Sequence, residues 1–277
     1  MIRPVALVFT LALSVPLCAD ALAQAAPADD VVGLELGMSF DESSALLKKM
    51  DDVELTETAA QWIRQSHGLP TRQLLRASDG RACQGKPARQ RGWQPFPACS
   101  TDGGRFQARQ DIGNEIVVAF AGMPGQEEAI SIWRHTQFKA GEQPAVSAVE
   151  QALMEKYGKP NIRQTESGYY SMAHRHGAIA LDWVYAPNGK LITDSTVKSR
   201  CVNGPKPWFR AKHSWNAGCG LTIRAEVLPV PGQRLLAQEL NVTVVRQDRL
   251  MQALKKFDAE LKAAVEGASK QVPKPKL

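Results

Sequence analysis

Two histidines in one short stretch have the spacing best suited to metal chemistry. His174 and His176 are separated by one residue, so both imidazoles would point to the same face of a β-strand. Imidazole is a common ligand of transition metals. No third ligand adjoins the pair, although folding could bring His135, His213 or Asp182 near it. A metal-assisted hydrolase is therefore the alternative hypothesis, and an exposed polar pair without metal is the favoured one.

Two serines were considered as nucleophiles. Ser195 and Lys198 match Ser-x-x-Lys, but the companion motifs of penicillin-recognising enzymes are absent and the segment is predicted to be a loop before Cys201. Ser39 and Glu42 have the spacing of a capping box, which predicts that this serine starts a helix. The chain also lacks Gly-x-Ser-x-Gly, a Walker loop and Gly-x-Gly-x-x-Gly. We predict no catalytic residue and no cofactor.

The first 23 residues indicate export. Arg3 precedes an apolar run from Val5 to Leu17, and Ala21 and Ala23 form an Ala-x-Ala cleavage site. This pattern predicts that residues 1–23 are a signal peptide and that Cys18 leaves with it. The run is too short to span a bilayer. We expect a periplasmic protein, with an extracellular location as the alternative.

Four cysteines remain after cleavage, and they allow three pairings. Proximity favours Cys83 with Cys99 and Cys201 with Cys219. Each bridge would close a short loop and stabilise the folded state by about 3 kcal/mol. An oxidising compartment makes disulfides the expected state of such pairs. Zinc is disfavoured because there is no Cys-x-x-Cys and no cysteine-histidine cluster. The sequence therefore predicts two disulfide-stapled loops.

Both cysteine loops combine cations with aromatic side chains, a composition typical of recognition surfaces. For the first loop taken alone, a solvated segment whose Trp93 covers the bridge is the favoured interpretation and a recognition patch is the alternative. The net charge of +6 favours an anionic partner but is too small to indicate nucleic acid. No later segment is apolar enough to cross a membrane. The predicted binding residues are Arg89, Arg91, Trp93, Phe96, Trp208, Phe209, Arg210, Lys212 and Trp215.

Hydrophobic periodicity predicts an α+β fold with antiparallel sheets and helices packed on one face. Alternation at 116–120, 179–185, 221–227 and 240–244 indicates strands, and a hairpin over 115–138 would place Ile130 and Ile132 on one side. The helical stripes predicted after Ser39, around residues 146–157 and from residue 248 to Gly267 complete the elements.

The order of these elements suggests two lobes that meet near residue 140. We predict an N-terminal α+β lobe over 24–140, a C-terminal α+β lobe over 141–267 and a disordered basic tail over 268–277. A single continuous domain is the alternative. No sequence repeat is evident between the two helix starts, although both could begin an analogous unit.

One helix start also carries a family resemblance. The segment "GLELGMSFDESSALLKK" resembles the Gly-Met-Ser helix start of the SmpA/OmlA-type, or BamE-like, envelope proteins, and "ALMEKYGKPNI" is similar to the Gly-x-Pro helix ending of that family. The resemblance covers some 30 residues. It implies a small non-enzymatic α/β binding module that supports outer-membrane assembly. This chain is longer and carries two cysteine loops; more broadly, it looks like secreted proteins of Gram-negative bacteria.

The favoured interpretation is a non-catalytic periplasmic binding protein of the assembly-factor, inhibitor or immunity type. Its expected partner is an envelope protein or an anionic envelope component. The two cysteine loops are the predicted contact surface.

Overall fold

The computed structural model of the protein describes residues 28–50, 53–58, 71–79, 113–165, 177–202, 216 and 218–271. The predicted signal peptide lies outside these residues. The elements are β1 Asp30–Val31, β2 Leu34–Glu35, α1 Phe40–Leu47, β3 Glu54–Thr58, β4 Leu74–Ser78, β5 Asn114–Ala121, β6 Glu128–Gln137, α2 Val146–Tyr157, β7 Ile162–Thr165, β8 Ile179–Val184, α3 Ser195–Val202, β9 Leu221–Val230, β10 Gln233–Arg246 and α4 Gln247–Gln271.

Eight of the described strands form one sheet in the order β3-β4-β5-β6-β10-β9-β8-β7. Every neighbouring pair in this sheet is antiparallel. β1 and β2 form a separate two-stranded hairpin. The predicted α+β class is therefore confirmed.

The large sheet consists of two successive units of the same plan, a helix followed by four strands that pair in chain order. α1 begins at Phe40 and α2 at Val146, 106 residues later; β6 begins at Glu128 and β10 at Gln233, 105 residues later. The second unit carries α3 between β8 and β9, whereas most of the corresponding connection between β4 and β5 lies outside the described residues. The predicted boundary near residue 140 lies between β6 and α2, and both units contribute to one sheet.

The two units meet along their fourth strands. β6 pairs with β10, and Arg134 lies opposite Val242 in the middle of the paired segment. Because this pairing is antiparallel, an approximate two-fold axis normal to the sheet relates the units. Each unit also has an isolated antiparallel β-bridge that joins the residue before its helix to the first part of its fourth strand. This bridge is Ser39–Glu128 in the first unit and Ala145–Leu236 in the second.

α1, α2 and the β1-β2 hairpin cover one face of the sheet, hereafter the helix face. Phe40 packs on Phe120 with ring centroids 4.9 Å apart, and Tyr157 packs on Trp183 at 5.4 Å. Apolar side chains of both units form one buried cluster there. Residues predicted to alternate inward join it, namely Ile116, Val118, Ile179, Leu181, Tyr185, Leu221, Ile223, Ala225, Val227, Val242 and Val244.

α4 packs on the opposite face, hereafter the back face. Phe257 and Leu261 are buried there among side chains of β4, β5, β6 and β10. Ile130 belongs to this cluster, whereas Ile132 belongs to the helix face. Our placement of both isoleucines on one side was therefore wrong, because the β5-β6 register shifts between Ala119 and Phe120 and a bulge reverses the alternation.

Two predicted helix boundaries can be compared directly. At α1, Glu42 N–H donates to Ser39 Oγ at 3.2 Å and Ser39 N–H donates to Glu42 Oε2 at 2.9 Å, which confirms the capping box. α4 continues past Gly267 to Gln271, so the predicted end at Gly267 was wrong and so was disorder from residue 268. A glycine within a helix is tolerated at a cost of about 1 kcal/mol. Residues 272–277 lie outside the described part of the chain.

Candidate functional site

The second cysteine loop is the predicted contact segment whose attachment to the fold is visible. Cys201 and Cys219 form a disulfide with Cα atoms 5.6 Å apart, as predicted. The first pair, Cys83 and Cys99, lies outside the described residues. The predicted binding residues and the two candidate metal-binding histidines also lie outside them: Arg89, Arg91, Trp93, Phe96, His174, His176, Trp208, Phe209, Arg210, Lys212 and Trp215.

The Cys201–Cys219 bridge sits in the protein interior. Cys201 lies in the last turn of α3 and Cys219 comes shortly before β9, and both are fully buried. Val184 and Ile192 pack in the same apolar cluster. The two ends of the second cysteine loop are therefore covalently joined and packed against the sheet.

The side chain of Gln247 attaches this loop base to the back of the fold. Its Nε2 donates to the Cys201 carbonyl oxygen at 2.8 Å and to Thr222 Oγ1 at 3.1 Å. Its Oε1 accepts a hydrogen bond from Asn216 N–H at 3.2 Å. Gln247 is fully buried at the start of α4, so one side chain connects α3, β9 and α4. We call the disulfide and Gln247 the loop anchor.

Gly220 lets the chain enter β9 beside the 185–191 turn. A Cβ at this position would lie 2.4 Å from the Ala186 carbonyl oxygen. Gly220 N–H donates to the Tyr185 carbonyl oxygen at 2.7 Å, and its own carbonyl accepts from Gln247 N–H at 3.1 Å. The close approach of two backbones therefore requires glycine here.

The Ser-x-x-Lys segment has a structural role in the described geometry. It lies on α3, so the predicted loop was wrong. Asp194 Oδ1 accepts from Val197 N–H at 2.8 Å and thereby caps this helix. Lys198 Nζ donates to the Asn161 carbonyl oxygen at 3.3 Å. The lysine thus joins α3 to the start of β7.

A buried ion pair occupies the back face of the second unit. Arg224 Nη1 on β9 donates to Asp182 Oδ1 on β8 at 3.2 Å, and Arg224 Nε donates to Glu226 Oε1 at 3.0 Å. Asp182 is fully buried and Arg224 is only 4 % exposed. Burial raises the pKa of Asp182 from 3.8 to about 6, against the opposing influence of the Arg224 charge. Desolvation of the carboxylate outweighs the attraction at this separation.

His135 and Asp182 were considered as third ligands for a histidine metal site, and the fold separates them. His135 Nδ1 is 3.0 Å from Asn241 Oδ1 on the neighbouring β10. His135 lies on β6 and Asp182 on β8, with β10 and β9 between, so they are at least roughly 14 Å apart. Within the described ranges, no group of three or more His, Cys, Asp or Glu side chains is placed to hold a metal ion.

Sequence reasoning missed Gln247 and Arg224 as interacting residues, and it considered Asp182 only as a possible metal ligand. The strand "AIALDWVY" was assigned an inward apolar face, which is correct, but its other face is buried as well. Asp182 between Leu181 and Trp183 therefore lies in a strand buried on both faces. A charged residue within such a strand was the available signal, because a buried charge requires a partner.

No helix in the described part of the chain combines the length and apolar character needed to cross a membrane. Comparisons of the chain with protein-family models, with curated proteins and with solved structures find no match.

Proposed function

We propose that this protein is a non-catalytic periplasmic binding protein that contacts an envelope protein or an anionic envelope component through its cysteine loops. The observation that supports the proposal most directly is the loop anchor. A segment that presents tryptophan and cationic side chains binds at lower entropic cost when its base is fixed. The disulfide and the three hydrogen bonds of Gln247 provide that base for residues 203–217.

The sheet topology supports a version of this proposal in which the two loops are separate contact regions. The first loop lies within the connection between β4 and β5, which begins after Ser78. Ser78 pairs with Glu115 on β5, and Glu115 pairs with His135 on β6. The second follows β8, whose last residue Val184 lies opposite Thr222. Because β4 and β8 run in opposite directions in the sheet, the loops leave from opposite ends. Each would therefore bind its own part of a large partner, or a separate partner.

Affinity capture with the full mature chain tests the proposal. The chain from residue 24 is immobilised under oxidising conditions and incubated with envelope extract, and captured proteins are quantified by mass spectrometry. The loop variants are W208A/W215A for the second loop and W93A/F96A for the first. Met154 on α2 is 37 % exposed, so M154A is the matched control for removing a large apolar side chain.

We expect each loop variant to lose captured material that M154A retains. Purified partner and chain should then bind in isothermal titration calorimetry, with binding weakened by C201A/C219A because the loop ends are released. Vesicles containing anionic lipid provide the parallel measurement for an envelope component. Unchanged capture and unchanged vesicle binding by both loop variants would count against the proposal.

A further inference from the structure

A charged side chain to which no other described residue provides a counter-charge lies in the middle of the helix face. Arg134 on β6 is flanked across the strands by Ile116 and Val242. Within the described part of the chain its side chain forms no hydrogen bond or ion pair, and its Nε is buried without a partner. Burial lowers the pKa of Arg134. A partly desolvated cation without an acceptor is costly, so this side chain would gain from contact with an anion.

Two further polar atoms near Arg134 have unused hydrogen-bonding capacity. Thr136 is the next residue of β6 on the same face, and Asn114 lies directly opposite it on β5. Thr136 Oγ1 and Asn114 Oδ1 are both buried and find no hydrogen-bond partner among the residues that the structure describes. Most buried polar side-chain atoms in folded proteins are paired, so adjacent exceptions call for an explanation.

Asp79 extends the group at the end of β4. Its Oδ2 accepts from Asn114 N–H at 2.8 Å, whereas its Oδ1 is buried without a partner in the described ranges. A Cβ at Gly113 would lie 2.7 Å from Oδ2, so the glycine leaves room for this carboxylate. The four residues Asp79, Asn114, Thr136 and Arg134 are called the polar recess.

The four residues of the polar recess divide into donors and acceptors. Arg134 and Thr136 provide donors on β6, and Asp79 and Asn114 provide acceptor oxygens on β4 and β5. Asp79 and Arg134 are two strands and about two residues apart, which places their Cα atoms about 12 Å from each other. The long side chain of Arg134, together with a small ligand that carries both an acidic and a basic group, can span this distance.

We propose that the polar recess binds a small zwitterion of the α-amino-acid type. Arg134 and Thr136 hold its carboxylate, and Asp79 and Asn114 accept hydrogen bonds from its ammonium group. A plain anion would leave the acceptor oxygens unsatisfied, and a plain cation would leave Arg134 unpaired. Asp79 and Asn114 flank the connection that carries the first cysteine loop, but none of the four residues belongs to the predicted contact residues, so amino-acid binding is tested separately from the proposed function.

Titration calorimetry and thermal melting of the full mature chain test this inference with a panel of proteinogenic L-amino acids and their D-forms. We expect at least one of them to release heat and to raise the Tm, because a ligand that binds only the folded state stabilises it. Its N-acetyl and carboxamide derivatives should bind at least about tenfold more weakly, because each lacks one charge that the recess pairs. R134M and D79N should weaken binding similarly.

Two variants serve as controls. Arg163 is exposed and paired with Glu150 at 2.6 Å, so R163M removes a cation elsewhere and should leave affinity unchanged. T136V removes one donor with little change in shape, and it tests the site if R134M does not fold. Three outcomes would each overturn the inference: no amino acid binds, binding survives in R134M, D79N and T136V alike, or the N-acetyl derivative binds as tightly as the free amino acid.

Discussion

Gln247 and Cys201, which are 46 residues apart in the chain, are joined by a hydrogen bond of 2.8 Å from the glutamine Nε2 to the cysteine carbonyl oxygen. Gln247 is fully buried. The bond links the first turn of α4 to the disulfide, so the C-terminal helix is part of the structure that holds the second cysteine loop.

We expect Q247A to lower the free energy of unfolding by roughly 3 kcal/mol. The change leaves the Cys201 carbonyl, Thr222 and the Asn216 N–H without this partner, at about 1 kcal/mol for each lost hydrogen bond. Urea denaturation followed by circular dichroism measures the difference. Gln252 is exposed on the same helix, so Q252A should shift the midpoint little. Equal midpoints for the two variants would show that the side chain of Gln247 does not stabilise the loop anchor.

The buried Asp182 predicts a pH dependence of stability. Its pKa is raised to about 6 in the folded state, so between about pH 4 and pH 6 the folded protein binds more protons than the unfolded chain. The free energy of unfolding should therefore fall as pH rises through this window, by up to about 3 kcal/mol. D182N should lose this component, and D258N at an exposed position of α4 should keep it. Parallel pH profiles for wild type and D182N would contradict the assignment.

The β1-β2 turn contains a β-branched residue in the left-handed region. Val32 has φ +50° and Gly33 has φ +82°, a combination of the kind a two-residue hairpin turn requires. Alanine and glycine at position 32 lose the same side-chain packing, but only glycine relieves the backbone. We therefore expect V32G to be more stable than V32A by about 1 kcal/mol, as measured by thermal melting. If V32A were instead more stable than V32G, the backbone at position 32 would not be strained.

Two glycine substitutions should have opposite effects. G220A should destabilise the fold by about 1–3 kcal/mol, because its Cβ would lie 2.4 Å from the Ala186 carbonyl oxygen. G267A should stabilise α4 by up to about 1 kcal/mol, because no atom lies within 4 Å of the added Cβ and alanine favours helices. Differential scanning calorimetry of both variants measures the two shifts, and a harmless G220A would refute the close approach.

The sequence predicted most of the individual elements because their signals are local. Alternation within one strand is sufficient to identify Ile179, Leu181 and Trp183 as core residues. Four consecutive residues are sufficient to identify the capping box of Ser39 and Glu42. The Cys201–Cys219 pair was also correct, since a short loop favours it.

Features that depend on register between distant segments could not be predicted in this way. The reversal at Ile130 arises from a bulge that forms only when β5 and β6 pair. The Asp182–Arg224 contact joins residues 42 positions apart. The repeated plan was hidden because the two helix starts differ in chemistry: Ser39 caps α1 with its side chain, whereas Ala145 at α2 has no side chain that can do so.

The pairing of β6 with β10 has a consequence for the origin of the protein. A polypeptide of half this length that ended after β6 would expose an unsatisfied strand edge, and a second identical molecule could close it in the same antiparallel manner. The present arrangement is what fusion of such an ancestral homodimer through gene duplication would leave behind. The two ancestral copies would then be joined at the exposed connection 139–142. Cleavage of the chain there should leave two fragments that still associate.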